Sequence, residues 1–169
     1  WGDWHRDHTV GPELVDDILF EMLSHPNWTE REGLTEAFRF IPEDRRFAML
    51  KRVFETSNWD APCAVSLTST VQTAEMLEEL LRYIEANTKK NYYQKQQVAE
   101  VFSSFGELFI DRAERRFSEP KLAAHHAEIL LIALGEMGPE ALRAIVPALG
   151  PASKSLREGA SRILNDAGE

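Results

Sequence analysis

From Gly11 onward the apolar residues recur every three or four positions, the spacing of one face of an amphipathic helix. Leu14, Val15, Ile18, Leu19, Met22 and Leu23 form the first such stripe, opened by Pro12, a residue suited to a helix start. Pro26 in SHPNW closes it, because proline turns the residue before it away from helix. Thr29 and Glu32 have the form of a capping box. Beyond them, Leu34, Ala37, Phe38 and Ile41 make a second stripe. Pro42 punctuates, and Phe47, Leu50, Val53 and Phe54 make a third. Residues 61–70, APCAVSLTST, are small and hydroxyl-rich and read as a loop or a poor short helix.

Helical spacing resumes with Val71, Ala74, Leu77, Leu80, Leu81 and Ile84. It ends at Asn87, where Lys89 and Lys90 suit the negative end of a helix dipole. The pattern then predicts helix from Tyr92 to Phe117, with Ser103, Ser104 and Gly106 marking a kink or a break. Further helices are expected at Lys121–Met137, Pro139–Leu149 and Pro151–Asp166. No alternation of Val, Ile and Thr argues for a strand. The result is about eight or nine helices joined by short turns, in one domain over residues 11–169 behind an irregular segment, 1–10.

Two stretches echo each other. FGEL at Phe105–Leu108 returns as LGEM at Leu134–Met137, and FIPEDRRFAMLKRVF (40–54) has the layout of EMGPEALRAIVPALG (136–150). Self-similarity at roughly 30–40 residues is the mark of a helical solenoid. The stretch AEILLIALGEMGPEALRAIVPALGPASKSLREGASRIL, with Arg157 and Ala160 in its last helix, resembles HEAT repeats, an ARM-type α-helical repeat family, over residues 121–167. The resemblance implies an all-α fold, an α-α superhelix of stacked antiparallel helix pairs, irregular in the N-terminal two-thirds. Leu130, Leu134, Ile145, Leu149, Ile163 and Leu164 are the expected core of the last repeat.

Charge narrows the partners. The chain carries 28 acidic and 19 basic residues, a net charge of −9, which repels phosphate backbones and anionic membrane surfaces at long range. The expected partner is another protein, with a basic face. No apolar run is long enough to span a bilayer. Cys63 is the single cysteine, so no disulfide can form within the chain, which fits a reducing, cytoplasmic setting. The chain begins at Trp1 rather than Met, as a piece of a longer protein would.

Candidate chemistry is sparse. His5 and His8 beside Asp3 and Asp7 have metal-like spacing, but the segment is polar and terminal and reads as a loosely docked end. His125 and His126 are adjacent, so on a helix they point about 100° apart and at most one is expected to face inward. Glu30, Glu32 and Glu36, like Glu75, Glu78 and Glu79, fall on polar faces and read as solvated carboxylates. No phosphate-binding glycine loop, nucleophile elbow or zinc motif occurs, and no cofactor is expected. HEAT-like folds include DNA alkylation-repair glycosylases and bilin lyases, so an enzyme on this scaffold is the alternative. The candidate residues for it are His125, Asp111, Arg112, Glu136 and Tyr93. Against a nucleic-acid groove, basic pairs such as Arg45–Arg46 and Arg115–Arg116 sit among acids.

The leading expectation is a non-catalytic protein–protein interaction module: an adaptor, an assembly factor or a toxin-neutralising protein. Its candidate contacts are Trp28 and Trp59, beside prolines in inter-helix turns, and Tyr92 and Tyr93. Arg45 and Arg46 join them, because cations on the first turn of a helix gain nothing from its dipole.

Overall fold

A computed structural model describes residues 12–24, 32–56, 61–87, 95–119, 122–146, 157–158 and 161–162. All regular structure among them is helical, and no strand occurs among the described residues. The helices are α1 (Pro12–Ser24), α2 (Glu32–Arg39), α3 (Glu43–Thr56), α4 (Pro62–Leu67), α5 (Ala74–Ala86), α6 (Lys95–Ser103), α7 (Glu107–Phe117), α8 (Ala124–Glu136) and α9 (Pro139–Ile145). A 3-10 turn, Thr68–Thr70, extends α4.

Local chemistry sets the boundaries. Thr73 caps α5: its hydroxyl accepts from the Met76 amide at 3.2 Å, satisfying one of the unpaired donors of the first turn. The expected break near Ser103 is complete. α6 ends there, Gly106 adopts φ +59°, and α7 starts anew. Gly138 plays the same part before α9, at φ +103°, a conformation open to glycine and strained for other residues.

The helices lie in two rows. α1 packs on α3, α3 on α5, and α7 on α9; α4 packs on α6, and α6 most extensively on α8. Lys51 meets Glu79 at 3.2 Å and, one turn on, Phe54 stacks on Tyr83 at 4.5 Å, so α3 and α5 run in the same direction. Glu78 with Arg112 and Glu85 with Arg116 give α5 and α7 the same sense. α3 with α4, α7 with α8 and α8 with α9 join the rows. The buried side chains between them form one continuous cluster.

The stripes mostly turn inward as the spacing requires. Phe38, Leu50, Val53, Leu77, Leu80, Phe109 and Leu134 are fully buried. α8 buries Ala127, Ile129, Leu130, Leu131, Ala133 and Leu134, on more than one face, because α6 covers one side while α7 and α9 cover others. Leu130, Leu134 and Ile145 therefore belong to the core as expected; Leu149, Ile163 and Leu164 lie outside the described residues. Ala37, expected in the second stripe, is exposed.

Residues 61–70, expected to form a loop or a poor short helix, take the second form. They are helical, and Ala61, Cys63, Ala64, Val65, Leu67 and Thr68 are almost wholly buried. The hydroxyls that argued for a loop are satisfied within the segment. Ser66 donates to the Pro62 carbonyl at 3.0 Å, Thr68 to Val65 at 2.6 Å, Ser69 to Ser66 at 2.8 Å and Thr70 to Leu67 at 2.7 Å. A hydroxyl bonded three or four residues back costs little to bury. α4 can thus pack against α1, α3 and α6 at once.

Candidate functional site

Arg45 and Arg46 follow the two acids, Glu43 and Asp44, that open α3. Arg45 Nη2 donates to Asp16 Oδ1 at 2.6 Å, fastening α3 to α1, and that hydrogen bond with the Asp16 charge raises the Arg45 pKa. Arg46 is turned inward, its Nη1 donating to the Thr70 carbonyl at 2.5 Å. Both guanidinium groups are therefore engaged inside the chain. Arg46 ties α3 to the end of the 3-10 turn, and its buried Nε has no hydrogen-bond partner among the described residues. Trp28, Trp59, Tyr92 and Tyr93 lie outside the described residues, as do His5 and His8.

An exposed aromatic that the periodicity did not single out lies five residues before this arginine pair in the chain. Phe40 closes α2, its amide donating to the Ala37 carbonyl at 3.2 Å. Its neighbours Phe38 and Ile41 turn toward the core, which sends Phe40 outward, 88% exposed. Charged residues stand on both sides of it along the chain: Glu36, paired with Arg39 at 3.1 Å, then Glu43 and Asp44. α1 adds Val15 and Ile18, three residues apart on one face, 40% and 51% exposed. The signal was present in the sequence: Phe40 is a large apolar residue that falls off the stripe.

A charged seam joins α5 and α7. Arg112 Nε meets Glu78 Oε1 at 2.6 Å, and Arg116 reaches Glu119 at 3.1 Å, Glu85 at 3.4 Å and Glu78 at 3.5 Å. Burial pushes the Glu85 carboxyl up, against the pull of Arg116. At the far end of this seam α8 begins with the histidine pair. The two rings lie 4.0 Å apart between centroids, tilted by 50°. Both Nε2 atoms are buried and without a hydrogen-bond partner among the described residues, and of the two residues His126 is buried while His125 is half-buried. Burial, then the neighbouring His125, pushes the His126 imidazole down to about 4; a backbone hydrogen bond with Ile84 works the other way.

The residues weighed for catalysis are not brought together. His125 and Glu136 stand at opposite ends of α8, about 16 Å apart along the axis. Glu136 accepts from Gln96 at 2.5 Å, and Arg112 is held by Glu78. Tyr93 lies outside the described residues. Among the described residues no group of three or more His, Cys, Asp or Glu could hold a metal ion, and no helix is long and apolar enough to cross a membrane. Cys63 is buried within α4. Compared with models of protein families, with curated proteins and with solved structures, the chain finds no match.

Proposed function

We propose that this chain is a non-catalytic protein–protein interaction module: a stack of antiparallel helix pairs, HEAT-like in character, that binds a partner protein on one face. The two-row order, in which α3 neighbours α5 and α6 neighbours α8, supports the stacked reading, since a helix pair that cannot bury its apolar face alone must stack on another.

The observation that carries the proposal is Phe40. A phenylalanine 88% exposed gains nothing from the core, and its large apolar area suits an anchor that enters a pocket on another protein. Glu43 and Asp44 beside it, on a chain of net charge −9, favour a partner with a basic rim around that pocket.

The test is capture from native lysate with the parent and with Phe40→Asp, quantified by mass spectrometry. Circular dichroism and a melting curve establish that both are equally folded. A protein held by the parent at low salt, and lost with the variant and with added salt, is the expected result. If the proteins retained are the same for both, Phe40 is not an anchor and the reading fails.

A further inference from the structure

Two imidazoles packed ring against ring, with both outer nitrogens buried and unpaired, are an unusual thing to place at the start of a helix. Buried polar atoms without a partner raise the free energy of the state that holds them, so such sites are where a structure yields first. We propose that the His125–His126 pair is an acid-sensitive latch, closed while the His126 ring is neutral, that holds the first turn of α8 against the end of α5.

The surroundings decide the sign. On α8 itself, each histidine's nearest titratable neighbour is the other, so a proton on one ring repels a proton on the second. On α5, Ile84 offers a backbone hydrogen bond, and Glu85 one residue on is engaged by Arg116 at 3.4 Å. On α7, Arg116 is the full charge that acts on His126, and it is positive, so it too disfavours an imidazolium. On α6, Lys95 is held by Glu128, a turn along α8, at 2.6 Å. Nε2 of His126 is buried with no hydrogen-bond partner among the described residues, so a proton placed there finds no acceptor. Protonation therefore favours any state in which the rings reach water.

The linkage runs in one direction. With a folded-state value of about 4 against an ordinary 6.5, the open state binds more protons between those limits, so opening grows as pH falls from 6.5 toward 4. For one histidine the opening constant rises about 50-fold between pH 7 and about pH 4.5. Glu85 acts oppositely, because burial pushes its carboxyl up and folding favours its protonated form on acidification. The two contributions can thus be separated.

Hydrogen exchange by mass spectrometry, corrected for the intrinsic pH dependence of exchange, follows α8 (124–136) and α3 (43–56) at both pH values. The parent is expected to lose protection in α8 by about 50-fold while α3 stays protected. His126→Phe, which keeps a ring of similar size and removes the proton site, is expected to flatten that response. Glu85→Gln is expected to leave it in place. An NMR titration of the parent provides a second readout that needs no variant to fold: the His126 resonance should titrate well below 6.5. The proposal is overturned by titration near 6.5, by an undiminished acid response in His126→Phe, or by simultaneous loss of protection in α3 and α8.

Discussion

Leu134 offers the sharpest test of how this fold is held. It is fully buried on α8, which among the described helices shares its broadest contact with α6. Leu134→Ala removes three carbons from a site without solvent. Transfer alone costs roughly 0.8 kcal/mol per carbon, about 2.4 kcal/mol. The cavity left behind adds to that, bringing the expected loss to about 3–5 kcal/mol, because α8 is enclosed by α6, α7 and α9 and cannot collapse inward freely. Leu108→Ala is the matched control. The same three carbons leave a residue that is 40% exposed on α7, and the expected cost is about 1 kcal/mol or less.

Urea unfolding, followed by circular dichroism at 222 nm, measures both. With a slope of roughly 2 kcal/mol per molar, Leu134→Ala moves the midpoint down by about 1.5–2.5 M and Leu108→Ala by less than about 0.5 M. The comparison matters more than either value, since both variants share the same change in helix propensity. Equal midpoints for Leu134→Ala and the parent, or a larger loss from Leu108→Ala, would refute the enclosure of α8 by α6, α7 and α9.

Three further substitutions probe single interactions. Thr73→Ala removes the side-chain acceptor of the Met76 amide and should cost about 0.5–2 kcal/mol, read by thermal unfolding, with Thr73→Ser restoring most of it. Gly138→Ala meets no atom within 4 Å, so its cost of about 1–3 kcal/mol is conformational, from φ +103°; a neutral result would mean that the turn before α9 has relaxed. Arg116→Met leaves Glu78, Glu85 and Glu119 without their shared cation in a site where the arginine is 20% exposed; a loss of about 1–2 kcal/mol, shrinking in high salt, is expected.

How far the sequence carried depends on which physical signal each element used. α5 was plain, since Leu77, Leu80, Leu81 and Ile84 repeat at helical spacing and the chain turns at Asn87. The break at Gly106 was also plain, because serine and glycine cluster there. α4 was not, because its composition argues through the average behaviour of Ser and Thr. That average includes the competition of hydroxyls with the backbone. In α4 and its 3-10 extension the competition is resolved locally, each hydroxyl donating to a carbonyl one turn back. The segment is then apolar in effect, and tertiary packing decides its state. Phe40 was missed for a related reason. A periodic reading attends to residues on the stripe, and an exposed apolar residue is by definition the one that falls off it.

The charged residues show what composition alone leaves out, the partner that each cation finds within the chain. Arg45 and Arg46 stood out as contacts because their own helix offers them little, yet a cation disfavoured by its own helix is free to serve another. Arg45 does so for α1 and Arg46 for the 3-10 turn after α4. Arg52 meets Asp17 at 3.5 Å and lies 4.1 Å over the Phe20 ring, a second tie between α3 and α1. Arg39, Lys51, Arg82, Lys95, Arg112, Arg116 and Arg143 likewise each lie within ion-pair distance of a carboxylate of this chain. Cations held in this way are poor steering groups, since their fields are cancelled within a few ångströms. The field reaching an approaching molecule is then dominated by the acidic excess behind the net charge of −9. Such a field attracts a basic surface and does not itself fix where that surface docks. Docking position needs a feature with shape, and on the described surface Phe40 is the large apolar group most completely released to solvent.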